Sequence, residues 1–411
     1  MKKSVIMLSL AAAMATGFTV TSCSSDDDFG VTAKQNGVLT LNVTGEGITA
    51  YKGINIEITE LNTGAVIKQT LEPNVTTFSF DLPYGSYKIT ANGVVIANSE
   101  EARAAGVGQT DITSAVTNLT IPLFVKKFHE DFIIEEVFFT GIKTPDNKNY
   151  NSSRYFKITN NTNKVLFADQ LIIGQSEFLT TDDKSPTPYN PNLSFAVKGV
   201  MVLPGTGNQY PVQPGDFIVI ADNAINHKQN TSTAYDLHNA DFEFPSTNPA
   251  LGQVDNPSVP NAEVIYTQMQ FNMFFLHNRG FESYVIARFP TGENKDSFLQ
   301  KFKYDYTYQN SAGTVTSKST YAIPNSWIID AENNSVPTKF IHTLTSAGMD
   351  SGWASVGATD NDANRYGKSV RRKTSGTLSN GKNLYMDTNN STNDFTKDAV
   401  PSLKDGIDHN K

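Results

Sequence analysis

The chain has 411 residues and a formal net charge of -8 at pH 7, with 33 Lys and Arg against 41 Asp and Glu. An acidic chain without a basic stripe repels phosphate backbones, so we expect no nucleic-acid partner. Charged residues make up only 18% of the chain, whereas Phe and Tyr are plentiful. This profile is typical of extracytoplasmic β proteins with polar loops and excludes a helical bundle.

The first residues have the pattern of an export signal. A basic start precedes an apolar stretch from Val5 to Val20, which is too short to span a bilayer comfortably as a helix. The segment Val20-Thr21-Ser22-Cys23 resembles a bacterial lipobox, and it contains the single cysteine of the chain. This resemblance implies that residues 1–22 are a signal peptide and that an acylated Cys23 contacts membrane lipid. The alternative is an ordinary secreted protein with a stray cysteine.

A polar and acidic run follows directly, consisting of Ser24, Ser25, Asp26, Asp27 and Asp28. Such a run after the lipid cysteine resembles the surface-export signal of Bacteroides-type lipoproteins, which sends them to the outer leaflet. We therefore expect an outer-membrane lipoprotein that faces the cell exterior, with residues 23–36 as an acidic tether. The alternative is a solvated linker, which would leave the protein facing the periplasm.

After the tether, apolar and polar side chains alternate, as in the run 38–44. Asn62-Thr63-Gly64 predicts a hairpin turn between two strands of this kind. The segment from Leu82 to Ile89 resembles small sandwiches of the carboxypeptidase-regulatory or prealbumin-like type. Residues 37–126 are therefore predicted to form a small immunoglobulin-like antiparallel β-sandwich. Such modules are more often spacers than ligand binders.

A second domain is predicted over residues 131–403. Its strand-like segments include Phe132–Val137, Arg154–Asn160, Val212–Asp222, Lys368–Lys373 and Asp387–Phe395. This series resembles the lamin-tail type of immunoglobulin-like β-sandwich, although Lys157 stands where that family usually has a glutamate. Taken together, the mature chain resembles an uncharacterised family of Bacteroides lipoproteins of unknown function. That resemblance implies a location and an architecture and no particular activity.

The second domain is longer than the ~100 residues of such a sandwich, so we expect long insertions and few short helices. The expected insertions are residues 180–191, 223–260 and 290–336, the last with a hairpin formed by 301–308 and 314–321. The best helix candidate is Thr338–Ala347, which has apolar residues on one face and Gly348 at its end. Long loops on a rigid β scaffold are where binding sites usually lie.

Acid–base groups give no catalytic constellation. We find no motif of a known hydrolase or phosphate site, and we expect no enzyme. Glu135 and Glu136 are adjacent in a predicted strand, so their side chains should point to opposite faces, one of them to solvent. A metal site is conceivable in the loop that contains His227, His238, Asp222, Asp236, Asp241 and Glu243. Solvated loop side chains are the alternative that we favour.

Calcium is the cofactor that the sequence leaves open. The run 360–364 repeats side-chain oxygens at alternate positions, as calcium loops do, but Arg365 and Arg371 stand where an EF-hand needs Gly and Glu. The candidate ligands are Asp360, Asp362, Asn364, Asp387, Asn389 and Asp394. Turn chemistry, in which these side chains cap their own backbone, is the alternative that we favour, so we expect no cofactor.

Two further groups of residues could contact a glycan. The one basic cluster is Arg365, Lys368, Arg371, Arg372 and Lys373. We expect these cations to be solvated or paired with nearby Asp residues, and contact with an anionic glycan is the alternative. Aromatic residues in loops could stack on sugar rings or belong to the core, and the candidates are Tyr189, Tyr210, Tyr235, Trp327 and Trp353.

The sequence thus favours a surface-anchored, non-catalytic β protein that binds a partner. We expect it to capture a nutrient for an outer-membrane transporter or to dock to such a transporter. A structural or adhesive protein that binds glycans is the alternative, and an unrecognised hydrolase comes third.

Overall fold

The computed structural model describes residues 35–45, 47–97, 100–126, 131–245, 250, 253–310 and 312–409. The chain divides into two compact units, residues 1–128 and residues 129–411. The prediction of a mainly β protein with antiparallel sheets and few helices is confirmed. Within the described segments, none of the helices has the length and apolarity needed to cross a bilayer.

The described residues of the first unit form eight strands. They are β1 Asn36–Thr44, β2 Ile48–Glu60, β3 Val66–Leu71, β4 Thr77–Pro83, β5 Gly85–Ala97, β6 Glu100–Ile112, β7 Val116–Pro122 and β8 Phe124–Lys126. They form a three-stranded sheet, β4-β1-β7, and a five-stranded sheet, β3-β2-β5-β6-β8. One pair departs from the predicted antiparallel arrangement, because β1 and β7 run parallel.

Alternating side chains build the core of this unit. In β1, Leu39, Leu41 and Val43 are buried while their neighbours are more exposed, since successive residues point to opposite faces of a strand. Tyr87 fills the same core and donates its hydroxyl hydrogen bond to the carbonyl oxygen of Pro83 at 2.8 Å. The predicted hairpin turn closes at Gly64, which has a φ of 72° that few other residues adopt.

The second unit contains nineteen strands and two short α-helices among its described residues. The strands are β9 Phe132–Phe138, β10 Ile142–Lys143, β11 Asn149–Tyr150, β12 Tyr155–Asn160, β13 Leu166–Phe167, β14 Ile172–Ser176, β15 Ser194–Val202, β16 Pro211–Val212, β17 Phe217–Ala221, β18 Phe242–Glu243, β19 Glu263–Thr267, β20 Ser283–Ala287, β21 Lys303–Gln309, β22 Val315–Pro324, β23 Ile328–Asn333, β24 Ser369–Arg372, β25 Thr374–Thr377, β26 Asn383–Tyr385 and β27 Phe395–Ala399. The helices are α1 Lys295–Lys301 and α2 Ser391–Asp394.

Two large sheets enclose the core of the second unit. One has the strand order β18-β17-β12-β9-β24-β27, and the other has the order β21-β22-β15-β14-β20-β23, with β19 paired to β15. Apolar side chains from both sheets form one continuous cluster, for example Ile134 and Ile158 from the first and Ile173 and Ile286 from the second. The burial of these side chains against each other is the main driving force that holds the sheets together.

The predicted helix at Thr338–Ala347 is wrong, because this segment is an irregular loop. The backbone N–H of Ile341 donates to the carbonyl oxygen of Thr180 at 2.9 Å, and the N–H of Leu344 donates to the side chain of Asn333. These bonds to other parts of the unit take the place of helical bonds. The apolar spacing that suggested a helix instead buries Leu344 in a separate apolar cluster of the second unit, with Phe178 and Trp327.

Candidate functional site

The predicted anchor lies outside the described residues. Cys23 and the acidic run Ser24 to Asp28 precede residue 35, where the description of the chain begins. Lipidation of Cys23 and surface export therefore stay predictions from the sequence.

Glu135 has the environment of a structural ion pair. Its Oε1 lies 2.8 Å from Nζ of Lys157, and its Oε2 accepts a 2.5 Å hydrogen bond from the hydroxyl of Thr159. Lys157 also lies over the ring of Phe217, 4.0 Å from its centroid. The lysine that departs from the lamin-tail pattern is thus the buried partner of a buried carboxylate.

Glu136 is also buried, which corrects the expectation that one member of the Glu135–Glu136 pair faces solvent. It accepts hydrogen bonds from the hydroxyls of Tyr155, Ser369 and Ser402. Burial raises the pKa of its carboxyl above the usual range. The two adjacent carboxyls have separate sets of partners on the two faces of β9, so they do not act on one bond.

The basic cluster divides into structural and exposed members. Arg372 is buried and donates to Oδ2 of Asp330 at 2.7 Å, and buried Arg365 donates to the carbonyl oxygen of Asn278 at 3.0 Å. The other three cations are at least partly exposed, and Lys368 lies 3.4 Å from Asp398. The expected pairing with Asp residues therefore holds for Arg372 and Lys368, and it is a buried pairing in the first case.

The first calcium candidates are engaged in ion pairs and turns. Asp360 lies between Arg279 at 2.9 Å and Lys339 at 2.6 Å. Asp362 accepts from the backbone N–H groups of Ala358 and Asn364, which is the turn chemistry named as the alternative. These contacts lower the pKa of both carboxyls.

The second group of calcium candidates caps the segment before α2. Asp394 accepts from the backbone N–H and the hydroxyl of Thr388, and Asn389 donates to the carbonyl oxygen of Gly348. Asp387 lies 3.6 Å from Arg372. In the part of the chain that the structure describes, no three His, Cys, Asp or Glu side chains form a group that could hold a metal ion.

The histidine loop is held by hydrogen bonds within the protein. His227 is buried, with Nδ1 2.8 Å from the hydroxyl of Tyr150 and Nε2 2.9 Å from the carbonyl oxygen of Asn223. Burial lowers the pKa of His227 to about 4. His238 is exposed and lies 2.6 Å from Asp236. The two histidines therefore have separate hydrogen-bond partners.

The five aromatic candidates are buried or half-buried. Tyr235 and Trp327 belong to the core. Tyr189 donates to the carbonyl oxygen of Leu344 at 2.8 Å, and Tyr210 packs edge-on against the buried ring of Phe242. Half-buried Trp353 stacks on Phe340 with 4.9 Å between the ring centroids, and Nζ of Lys397 lies 4.7 Å from its ring centroid. None of these rings forms an open stacking platform.

An open groove of about 430 Å³ lies along the hairpin formed by β21 and β22. Most of the residues that line it have polar or charged side chains, and the lining consists of Thr187, Pro188, Lys303, Asp305, Tyr306, Thr307, Ser317, Lys318 and Ser319. Asp305 accepts a hydrogen bond from the hydroxyl of Ser319 and lies 3.3 Å from Lys303. The groove therefore offers hydroxyl groups and ammonium groups to a polar ligand.

The hairpin extends beyond the sheet that carries it. The ladder between β22 and β15 covers Tyr321–Pro324, whereas β21 and β22 pair from Lys303 to Gln309. β21 is the terminal strand of the sheet, so one edge of its backbone faces away from β22. Thr187 uses that edge at one point: it donates to the carbonyl oxygen of Thr307 at 2.7 Å and accepts from the Thr307 N–H at 2.9 Å.

A layer of aromatic rings supports the groove from below. Tyr304, Tyr306 and Tyr308 alternate along β21 and share one face, with 5.7 and 6.1 Å between successive ring centroids. The hydroxyl of Tyr306 donates to the carboxyl of Glu177, whose pKa is raised by burial. Tyr306 also packs edge-on against Phe178 at 5.0 Å. The groove is thus built on a rigid base.

Sequence reasoning located the hairpin and missed the groove. The segments 301–308 and 314–321, which flank the Ser-Ala-Gly run of residues 311–313, predicted two paired strands. The partner at the outer edge, Thr187, lies 120 residues before Thr307, and no local signal connects the two.

Comparisons with known proteins agree with this fold. Residues 213–402 match a family model described as "Protein of unknown function (DUF4876)". The chain is similar to a DUF4876 family protein from Bacteroides thetaiotaomicron VPI-5482, at 22% identity and a TM-score of 0.58, over 90% of this chain and 96% of that one. A fimbrial assembly protein from Parabacteroides distasonis ATCC 8503 is far more distant, at 10% identity and a TM-score of 0.16, over 43% of this chain and 83% of that one.

No protein of curated function matches the chain. The expected resemblance to a Bacteroides family of unknown function is confirmed at this level, and the finer resemblances to carboxypeptidase-regulatory and lamin-tail domains stay predictions. Over residues 213–402 the chain is similar to the DUF4876 proteins, and its fold is similar to that of their Bacteroides thetaiotaomicron representative.

Proposed function

We propose that this protein is a lipid-anchored cell-surface binding protein without catalytic activity, and that its second unit contacts a partner through the groove of β21 and β22. The observation that carries the proposal is the open groove on the hairpin of β21 and β22, which is lined mostly by residues with polar or charged side chains. A groove with hydroxyl groups, two lysines and one carboxylate suits a polar ligand that remains in contact with water.

The anchor supports a surface role. Acylation of Cys23 would hold the mature chain at the outer membrane, because each buried methylene of an acyl chain contributes about 0.8 kcal/mol. The acidic residues Asp26 to Asp28 favour the outer face. A binding protein fixed there could capture a nutrient for an outer-membrane transporter or dock to the transporter itself.

The acidic and basic side chains form ion pairs and hydrogen bonds inside the protein, which supports a non-catalytic role. Buried Glu135 and Lys157 neutralise each other, and Glu136 accepts from three hydroxyls. His227 is fixed by Tyr150 and the backbone. A general acid or base must reach a substrate proton, and these groups are directed to partners inside the protein.

The proposal is tested by capture of partners from intact cells with the native lipidated protein. Ser317→Trp places a large ring in the groove, and Val315→Trp places the same ring on the same face of β22 outside the lining. We expect Ser317→Trp to lose a membrane partner that the parent protein and Val315→Trp recover. Recovery of no partner by the parent protein, or equal recovery by both variants, would contradict the proposal.

A further inference from the structure

We infer that the first unit rests on the lipid surface with the end at which the chain enters from Cys23, and that Leu61, Tyr84 and Val116 contact the membrane there. This inference rests on the proposed function, because it requires the acyl anchor at Cys23. It concerns the first unit and is independent of the groove in the second unit. The lipid contact orients the anchored protein, whereas the acyl chains hold it at the membrane.

The exposed apolar side chains of the first unit gather at one end. We call it the tether end, and it consists of the turns after β2, β4 and β6 together with the residues beside them. Four of the large exposed apolar side chains lie there, and Val107 lies apart from them within β6. Exposed apolar side chains that gather in one place mark an interaction surface. Among the described residues of this unit, the large apolar side chains that are more than one third exposed are Leu61, Val66, Tyr84, Val107 and Val116.

Backbone hydrogen bonds hold the three turns beside the point of entry. The N–H of Leu61 donates to the carbonyl oxygen of Ser86 at 2.9 Å, which ties the first turn to the second. The N–H of Tyr84 donates to the carbonyl oxygen of Gln35 at 2.8 Å. The carbonyl oxygen of Ala115 in the third turn accepts from the backbone of β1 at 2.9 Å. The apolar side chains therefore surround the point at which the chain enters the unit.

The two ends of the unit differ in charge. Residues 61–66, 83–86 and 113–116 contain no charged side chain. Glu60 precedes the first turn and is directed into it, because its Oε2 accepts from the N–H and the hydroxyl of Thr63, each at 2.6 Å. At the opposite end, Glu72 and Glu101 are exposed. Since a charged side chain is costly to place against hydrocarbon, the tether end is the end suited to lipid.

The length of the chain before the unit identifies lipid as the partner. The chain from Cys23 to Gln35 spans twelve peptide units (35 minus 23). Such a segment extends at most about 40 Å, so the acyl anchor keeps the tether end within reach of the membrane. Tethering raises the effective concentration of lipid at this end, and a contact too weak for a free protein becomes populated. Tyr84 suits this position, because tyrosine is enriched where membranes meet water.

The first test measures quenching of tryptophan fluorescence by lipid. The native lipidated protein is reconstituted in vesicles of phosphatidylethanolamine and a phosphatidylcholine whose acyl chains are brominated near the carbonyl end. Tyr84→Trp adds a reporter at the tether end, and Val107→Trp adds the matched reporter within β6, in a chain that already has two tryptophans. Because bromine quenches a tryptophan that it contacts, we expect brominated lipid to quench the added emission of Tyr84→Trp. The added emission of Val107→Trp should equal that in vesicles without bromine.

A charge at the tether end should break the contact. Leu61→Asp combined with Val116→Asp in the Tyr84→Trp protein should abolish the quenching, because ionised side chains disfavour contact with hydrocarbon. Val107→Asp in the same protein is the control and should leave the quenching unchanged.

A second readout uses the parent sequence at the tether end. Hydroxyl radicals should oxidise Leu61 and Val116 less in the vesicle-bound parent protein than in Cys23→Ala in solution, whereas Val107 should be oxidised equally in both. Equal oxidation of Leu61 and Val116 in the two states would overturn the inference. Equal quenching of the two folded reporter proteins would overturn it as well.

Vesicle flotation separates this inference from the proposed function. If the parent protein does not float with the vesicles, the acyl anchor fails and the proposed function fails with it. If the parent protein floats and Tyr84→Trp is not quenched, the lipid contact alone fails. Loss of a captured membrane protein from the Leu61→Asp and Val116→Asp double variant, without quenching of Tyr84→Trp, would assign the tether end to a protein partner. Dimerisation that this double variant abolishes would assign it to a second copy, and both of these outcomes overturn the inference.

Discussion

Arg372 joins the two sheets of the second unit through Asp330. Arg372 belongs to β24 of one sheet and Asp330 to β23 of the other, and Nη2 of the arginine lies 2.7 Å from Oδ2 of the aspartate. Both side chains are 1% exposed. Arg372 also donates to the carbonyl oxygen of Ile134, and Asp330 accepts from the Ile134 N–H, so the pair is tied to β9 as well.

Loss of one member of this pair should be costly. Asp330→Asn leaves a buried guanidinium without its nearest carboxylate, and we expect the free energy of unfolding to fall by about 3–5 kcal/mol. Urea denaturation followed by circular dichroism measures the change. Glu263→Gln is the matched control, because Glu263 and Lys295 form an exposed pair, and an exposed pair contributes less than about 1 kcal/mol. Equal effects of the two variants would contradict this account.

Substitution of Glu332 should have the opposite effect on the free energy of unfolding from substitution of Asp330. Burial raises the pKa of its carboxyl well above the usual range, and Asp350 adds to the effect. A carboxyl with a raised folded-state pKa contributes most stability below its unfolded pKa of about 4.5, and that contribution decreases as the pH rises. Glu332→Gln should therefore leave the free energy of unfolding at pH 7 unchanged or increase it. A large loss of stability at pH 7 would mean that the charged form of Glu332 is required.

The buried histidine predicts a dependence of stability on pH. The pKa of His227 is lowered to about 4 by burial, below its ordinary value of 6.5. The unfolded state therefore binds the proton more readily, and stability present above pH 6.5 is lost as the pH falls towards 4. The expected loss is at most roughly 3 kcal/mol.

Denaturation at pH 7 and pH 4.5 of the parent protein and of His227→Gln measures this effect. We expect the difference between the two pH values to become smaller in His227→Gln. His238→Gln is the control, because His238 is exposed and its substitution should leave the pH dependence unchanged. A pH dependence that survives in His227→Gln would assign the effect to other groups.

The anchor is tested with Cys23→Ala. This variant removes the single thiol of the chain and with it the site of acylation. We expect a folded protein in the soluble fraction after cell fractionation, whereas the parent protein stays with the outer membrane. The thermal midpoint of both proteins should agree, because no described contact uses a cysteine. Membrane association of Cys23→Ala would show that another contact holds the protein there.

The sequence predicted the β class because alternation is a local property. Leu39, Leu41 and Val43 indicate a strand by their spacing alone, and the structure buries all three. The same local reasoning failed at Thr338–Ala347, where helical spacing was overridden by bonds to Thr180 and Asn333. Periodicity describes which side chains are apolar, and it does not record which distant backbone groups compete for hydrogen bonds.

By itself the sequence determined an acidic, mainly β chain with a lipobox-like segment at Cys23 and a hairpin formed by residues 301–308 and 314–321. Only the tertiary structure decided which charges are buried and which strand edge is open. Arg372 appeared in a basic run, yet it is enclosed because Asp330 reaches it from the other sheet. Among the described residues, β21 is the terminal strand of its sheet, and Thr187 pairs with its outer edge through an isolated bridge to Thr307. Such contacts join residues far apart in the chain, so neither follows from local spacing.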